Sequence, residues 1–370
     1  MTLADHFSEV KDPRLEHLVE HKLIDVIIIA VCATICGADG WEEMSEWATE
    51  KREWLAERWQ IEKVPSGATI RRVFLVIDPE EIQAGFQRWV NSVFTVTKGQ
   101  VIAIDGKQLR GSADAKAGKK ALCMVSAWAT ANQIVLGQRK AEEKSNEITA
   151  IPELLKLLDV SGCLVTIDAA GCQIENARLI RQQKGDYLFA LKGNQGTMFE
   201  DVQTAFACAE RLDFAGIDGD YAETKHEGHG RCEIRKCWAI DDKTQLQLLR
   251  NRDKWCDLQT IVMIETQRTH NKITSTERRY FISSLACDAL KILTAKREHW
   301  QVENNLHWCL DVGFLEDDQR TSGNAAANLA VVRHIAISLL KQDSSKGSLK
   351  RKRKRAGWNN DFLEQLLQPN

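Results

Sequence analysis

Through residues 1–95 the apolar positions recur with a helical period. Leu15, Leu18, Leu23, Val26 and Ile27 open a pattern that continues to Cys36, and Gly37-Ala38-Asp39-Gly40 breaks it with a turn. Trp41 to Trp59 repeats the period on a charged background, with Trp41, Met44, Trp47, Trp54 and Leu55 near one face. Pro65-Ser66-Gly67 punctuates the chain, and Ser66 or Thr69 caps a short helix, Ile70-Arg71-Arg72-Val73-Phe74. A helix led by Ser, Thr and Arg after a tight turn is a candidate DNA-recognition helix with Arg71 and Arg72 as contacts. The plainer reading is a connecting helix with solvated arginines.

From residue 100 the pattern becomes strand-like. Val101 to Asp105, Ala121 to Thr130 and Gln133 to Arg139 read as strands, the last two joined by a tight turn at Ala131-Asn132. Asn146 to Leu158 reads as a helix with Ile148, Ile151, Leu154, Leu155 and Leu158 on one face, and Pro152 early enough to be tolerated. A strand Leu164–Ile167, a helix Ile174–Lys184 and a strand Tyr187–Leu191 follow. Three strands, helix, strand, helix, strand is the element order of a ribonuclease H-like core, an α/β fold. After a helical patch from Met198 to Ala209, strands at Cys232–Trp238, Thr260–Ile264 and Arg279–Ile282 make residues 196–286 a β-rich insertion. A helix capped by Asp288 follows, with Leu290 and Leu293 toward the core and His299, Trp300, Glu303, Leu306 and His307 on one face. A last apolar helix runs from Ala325 to Leu340. The divisions are a helical domain at 1–98, the first part of the core at 99–195, the insertion, the last part of the core with Glu303 at 287–342, and a basic tail at 343–370.

Composition narrows the class. A chain of 370 residues suits two or three domains. The longest apolar segment, Val26 to Cys36, is shorter than the roughly 20 residues that span a bilayer, so no membrane is expected. The polar, acidic start is unlike a secretory signal, so the scattered cysteines are expected to be reduced thiols in the cytoplasm. A net charge of −2 gives no global attraction to nucleic acid, but the run from Lys350 through Arg351, Lys352, Arg353 and Lys354 to Arg355 does so locally.

Three acids stand where phosphoryl-transfer chemistry needs them. Asp105 ends the run Val101–Ile104, Asp168 ends Leu164–Ile167, and Glu303 lies in the polar-aromatic stretch 297–308. A carboxylate at a strand end is held at the sheet edge, where open α/β folds place their chemistry. Hard cations take such oxygen ligands, and two ions about 3.5–4 Å apart serve both attacking and leaving oxygens. Asp after a strand is also a common turn former, so it is the combination that argues for catalysis.

The segments Ile104-Asp105-Gly106-Lys107, Ile167-Asp168-Ala169, Leu191-Lys192-Gly193-Asn194-Gln195 and His299–Val312 together resemble the H-repeat-associated transposases, a bacterial insertion-sequence group of the DDE type. The resemblance extends through Asp12-Pro13-Arg14, Gly37–Trp41, His229-Gly230-Arg231 and Tyr280–Leu285, nearly the whole chain. It implies a ribonuclease H-like core with a β insertion, Asp105, Asp168 and Glu303 as catalytic and metal-binding acids, and Mg2+ or Mn2+. It also implies the terminal inverted repeats of an element and target DNA as duplex partners, a homodimer on DNA, and a place at the nucleoid. The activity implied is metal-dependent end cleavage and strand transfer. A retained copy that only binds DNA and a nuclease without strand transfer are the alternatives. Related insertion-sequence transposases carry a Tyr and an Arg one and two turns before the glutamate and a Lys two turns after it, whereas this chain has Lys296, His299 and Leu310. Lys296, Arg297, His299 or His307 then become candidate phosphate contacts, with Lys192 and Arg231 beside them. Gly67-Ala68-Thr69 also replaces a family His-Asp before the Thr.

Other features have two readings. His226, His229, Cys232 and Cys237 have a spacing that suits Zn2+, but strand packing is the favoured account. Cys32 and Cys36 share a helix face embedded in Ile, Val and Ala, where packing suffices. Glu316-Asp317-Asp318 is either a solvated turn or a source of the third acid, and Trp300 beside Glu303 is a candidate platform for an unpaired base.

Overall fold

The computed structural model describes residues 2–94, 97–113, 118, 120–141, 147–228 and 230–368. In chain order the elements are α1 (Leu3–Phe7), α2 (Leu23–Cys36), α3 (Trp41–Glu50), α4 (Arg52–Trp59), α5 (Gly67–Val76), α6 (Pro79–Val93), β1 (Val101–Leu109), β2 (Leu122–Ala129), β3 (Ile134–Lys140), α7 (Glu147–Leu157), β4 (Leu164–Ile167), α8 (Ile174–Gln182), β5 (Asp186–Leu191) and α9 (Gly196–Arg211). They continue with β6 (Gly219–Gly228), β7 (Arg231–Ile240), α10 (Lys243–Gln247), β8 (Thr260–His270), β9 (Ile273–Ser283), α11 (Ala289–His299), a π-helical stretch Val302–His307, α12 (Trp308–Phe314), α13 (Asn324–Gln342), α14 (Leu349–Trp358) and α15 (Asn360–Leu367). The chain is a mixed α/β protein in two compact units. One holds Met1–Thr95, Gly106–Asn146 and Val302–Asn370; the other holds Val96–Asp105 and Glu147–Gln301.

The first unit is built on two apolar helices. Almost every residue of α2 is buried, and it stops at Gly37, whose φ of +111° returns amide hydrogens to the helix's last carbonyls. In α13 burial runs unbroken from Ala325 to Leu340, and α2, α5, α6 and the β2–β3 hairpin pack around it. Ser66 caps α5 by accepting from the Thr69 amide. The expected single helix Trp41–Trp59 is two, α3 and α4, which meet at Lys51.

Within α13, burial holds the His334 imidazole neutral down to about 3. The unfolded chain therefore takes its proton first, and stability is lost as pH falls from about 6.5 toward the folded value, by about 1.4 kcal/mol per pH unit for such a group. His334→Gln should flatten the pH dependence of unfolding by that amount between pH 6 and 4. An unchanged slope in denaturant melts would refute this.

The second unit is organised by a mixed sheet in the order β1-β4-β5-β9-β8-β7-β6. β1, β4 and β5 are parallel, and β9 joins β5 antiparallel. Residues 219–283, expected as an insertion, thus extend the same sheet from its β5 edge. β8 and β9 are longer than their apolar stretches suggested, because a tight turn at Asn271-Lys272, both with positive φ, matches the twist of the hairpin and carries pairing to its tip. β6 and α10 were not foreseen, since β6 is largely exposed and lacks a clear apolar alternation. α11 lies on this sheet with Ala289, Ile292, Leu293 and Ala295 buried against Val101, Leu164, Leu188, Cys237, Val262 and Phe281. Leu290, expected on the core side, is 57% exposed.

Two further readings change. The basic tail from residue 343 is helical, as α14 and α15, and packs on α2 and α13. Of the candidate zinc set, His229 lies outside the described residues. Cys232 and Cys237 are five positions apart on β7 and so face opposite sides of the sheet, with Cys237 in the core.

Candidate active site

β1 and β4 run parallel in a register that pairs Val101 with Leu164 and Ile104 with Ile167. Asp105 and Asp168 are the next residue on each side of that ladder. Continuing that register sets them opposite each other on neighbouring strands about 4.8 Å apart. Asp168 follows the last residue of β4, whereas Asp105 lies inside β1, which runs on to Leu109 and corrects the expected strand end at Asp105. Both are half-buried. The run of apolar residues before each is what buries the strand up to the carboxylate.

The turn after β4 is tightly held. Asp168 Oδ1 accepts from the Ala170 and Gly171 amides at 3.1 and 3.2 Å. A Cβ at Gly171 would sit 2.3 Å from Ile167 Cγ2, so glycine alone fits there. Asn194 Nδ2 donates to the Ala169 carbonyl at 2.5 Å, Gln195 Nε2 to the Cys172 carbonyl at 2.8 Å, and Asn176 Nδ2 to the Gly171 carbonyl at 2.8 Å. Asn194 and Gln195 therefore clamp the loop that carries Asp168. Sequence reading quoted them in a motif without assigning them this part; their adjacency to Lys192 after a core strand was the available signal.

His299 closes this region from the other side. Its Nδ1 shares a 2.9 Å hydrogen bond with Thr166 Oγ1, two residues before Asp168 on β4. Burial, opposed by the Asp168 charge, pulls the imidazole down to about 4, so the ring is neutral at neutral pH. It serves as a hydrogen-bonding group there and adds no positive charge. Arg297 is exposed on α11, Lys192 is exposed just after β5, and Arg231 is exposed at the start of β7.

In the first unit, Glu303 lies in the first turn of the π-helical stretch Val302–His307, not on the helix capped by Asp288 as expected, since α11 ends at His299. Glu303 is exposed while Val302 and Leu306 are fully buried. The expected common face of Glu303 and Leu306 is thus absent, because the wider turn of a π-helix rotates residues three apart away from each other. Such stretches occur often at functional sites.

The alternative acids are otherwise engaged. Lys107 Nζ lies 2.6 Å from Asp311, 2.8 Å from Glu316 and 3.4 Å from Asp317, and Arg333 approaches Glu316 at 3.7 Å. Glu316 is buried. Burial alone would lower the Lys107 ammonium, but the Glu316 charge and the Asp311 hydrogen bond outweigh it and raise the group above its ordinary value. Glu316 and Asp317 are therefore parts of an internal ion cluster, which corrects the reading of this group as a solvated turn or a third acid.

Arg71 and Arg72 are exposed on α5, with Arg72 Nη2 also reaching Thr69 Oγ1 at 3.1 Å. Lys350 and Arg351 are exposed on α14. Arg353 is a correction. It points inward, donating to the Thr34 carbonyl at 2.8 Å, to Asp39 Oδ1 at 2.7 Å and to the Gly313 carbonyl, with its guanidinium over the Phe314 ring. It adds a second donor to the Thr34 carbonyl, which also accepts from the Gly37 amide at 3.3 Å, and, turned inward, it is unable to meet DNA. Lys352 is half-buried and paired with Asp343 at 3.0 Å.

Carboxylates set on neighbouring strands in this way can hold the cations of metal-dependent phosphoryl transfer. Residues 4–90 match the family model described as DDE_Tnp_1-associated, and residues 96–340 match the model of the transposase DDE domain. The chain belongs to the DDE transposase family. It is 39% identical over 99% of its length to "Putative transposase YncI" of Escherichia coli O157:H7, covering 94% of that protein. It is 38% identical, again over 99% of its length, to "H repeat-associated putative transposase YhhI" of Escherichia coli K12, covering 97% of it. A shorter relative, "Inactive transposase YbfQ" of the same strain, is 35% identical over 19% of this chain. Among the described residues no single helix is long and apolar enough to cross a membrane.

Proposed function

We propose that this chain is a DDE-type DNA transposase that cuts at the ends of an insertion sequence and joins those ends to target DNA, with Asp105, Asp168 and Glu303 as its acids. The observation that carries the reading is the β1–β4 register, whose next position on each strand is Asp105 and Asp168. Their hard oxygen donors fit Mg2+ or Mn2+. When bound, such ions activate water and offset charge on the leaving oxygen. Glu303 follows His299 by four residues, and His299 is anchored to the strand that ends in Asp168. That proximity along the chain supports Glu303 as the third ligand. The strand and helix order around the two aspartates supports a ribonuclease H-like core with residues 196–286 inserted into it.

The clamp made by Asn194 and Gln195 keeps the Asp168 carboxylate fixed before substrate arrives, so little reorganisation is needed during reaction. Lys192, Arg231, Arg297 and neutral His299 are donors for backbone phosphates. Arg71 and Arg72 on α5 are contacts for the terminal inverted repeats, and Lys350 and Arg351 on α14 add further phosphate contacts, all within a homodimer on duplex DNA.

The test is an end-labelled duplex carrying the DNA that flanks the gene, incubated with Mg2+ or Mn2+, with cleavage and joining scored separately. Cuts at a defined end followed by joined product are expected, and chelation should remove both. Cuts without joining would make the protein a nuclease; binding without cuts would make it a retained DNA-binding copy.

A further inference from the structure

Beyond the acids, the second unit gathers cations on the sheet face that carries α11. Register fixes the placement: Cys237 lies opposite Ile264, which lies opposite Arg279, and Arg235 lies opposite Thr266, which lies opposite Glu277. Cys237 and Ile264 are core residues beneath α11. Directly paired residues share a face and so do positions two apart, so Arg235, Arg279, Glu233, Glu277 and Arg268 all stand on the α11 side. Lys296 and Arg297 come from the last turn of α11 itself.

The charges do not balance. Glu233 is paired with Arg235 at 2.7 Å and with Arg268 at 3.4 Å, and Glu277 holds Arg279 through two bonds of 2.8 and 3.1 Å. Among the described strand residues of this face, Glu233 and Glu277 are both already bonded to arginine, while Arg235, Arg268 and Arg279 meet Lys296 from α11. Nε and Nη1 of Arg235 are buried and have no protein partner among the described residues. Buried guanidinium donors of this kind are costly unless something accepts from them. Lys296 feels the excess directly: burial first, then Arg279 and Arg235, bring its ammonium down to about 8 despite Glu233 and Glu277. Buried arginine donors left without an acceptor, beside a repelled ammonium, suit an external anion.

We propose that Arg235, Arg279 and Lys296 form an anion site that accepts a DNA backbone phosphate. The donors fit the chemistry: two guanidiniums offer planar paired N–H groups, and the ammonium adds a point charge. That the phosphate belongs to DNA rests on the transposase reading; the anion site itself rests only on the cluster. The site would engage a phosphate through strands of the 196–286 segment as well as through α11.

The cluster as a ligand site and the cluster as internal scaffolding predict opposite stability effects. Lys296→Met keeps the apolar stem and removes a repelled charge. Its thermal midpoint should equal or exceed that of wild type. Its affinity for a duplex of arbitrary sequence, measured by anisotropy without metal, should fall about tenfold, and the slope of log K against log salt should flatten by about 1. Arg279→Gln should behave likewise in binding. Inorganic phosphate at constant ionic strength should raise the wild-type midpoint and act more weakly on Lys296→Met. A lower midpoint with unchanged DNA affinity and salt slope would overturn the proposal in favour of a structural cluster. A phosphate effect lost in the variant while DNA binding is intact would overturn the assignment to DNA. Since neither metal nor end sequence enters these measurements, either failure leaves the cleavage result to stand or fall separately.

Discussion

Asp168→Asn should remove end cleavage while leaving the protein folded and bound to DNA. The side-chain oxygen of Asn can still accept from the Ala170 and Gly171 amides, so the turn has no reason to open. Asn194 and Gln195 continue to hold its other carbonyls. What disappears is one negative charge beside Asp105, and with it the affinity for a hard cation. Metal-based stabilisation of transition-state charge is worth several kcal/mol, so a rate loss of about a thousandfold or more is expected. Asp105→Asn should match it, and the double variant should be scarcely worse than either alone, because the two carboxylates act as a unit. The readout is nicking of labelled end DNA, with binding measured in parallel. Nicking at the wild-type rate by either variant would show that the two acids only shape the strands that carry them and that the chemistry lies elsewhere.

Lys107→Met should be among the most destabilising single changes in the first unit. Lys107 is 10% exposed and answers Asp311, Glu316 and Asp317 at once, while the Glu316 side chain is 1% exposed. Removing one partner of a buried ion pair leaves its counter-charges stranded, which typically costs about 3–5 kcal/mol. Arg333 and Arg110 remain, at 3.7 and 3.6 Å from Glu316 and Asp317, and offset only part of this. The loss should depend on pH. Burial already raises the Asp311 carboxyl, opposed by Lys107. Without the ammonium the Asp311 carboxyl takes a proton more readily, so the gap between variant and wild type should narrow as pH falls from 7 to 5. Chemical denaturation at both pH values measures it. A small loss, or a gap that widens in acid, would mean that the cluster is solvated and contributes little.

Much of this was written locally in the chain. The apolar runs Val101–Ile104 and Leu164–Ile167 are short, β-branched and bounded by Asp, and they pair as parallel neighbours, although β1 runs on past Asp105 to Leu109. Asp288 caps α11 by accepting from the Lys291 amide, as its position before the helix implied. Gly37 ends α2 and Ser66 starts α5 for equally local reasons. Where the side chain's partner is distant, sequence was silent or misleading. Arg353 sits in a run of six basic residues and is indistinguishable from its neighbours by composition. Only the packing of α14 on α2 turns it toward the Thr34 carbonyl and Asp39.

The same contrast divides the candidate site. Apolar runs and helix caps depend on nearest neighbours along the chain, so the sequence by itself determined that Asp105 and Asp168 each follow a buried strand segment and that a helix starts at Asp288. It did not show that β1 runs past Asp105 to Leu109, nor that α11 stops at His299, before Glu303. Tertiary structure decided which strands lie side by side and that β9 extends the sheet at β5. It also turned Glu303 outward through a π-helical turn while Leu306 points in, and it brought Arg235, Arg279 and Lys296 onto one face. Those outcomes depend on residues tens of positions apart meeting through burial and charge, and no local period in a sequence records which distant residue will be the partner.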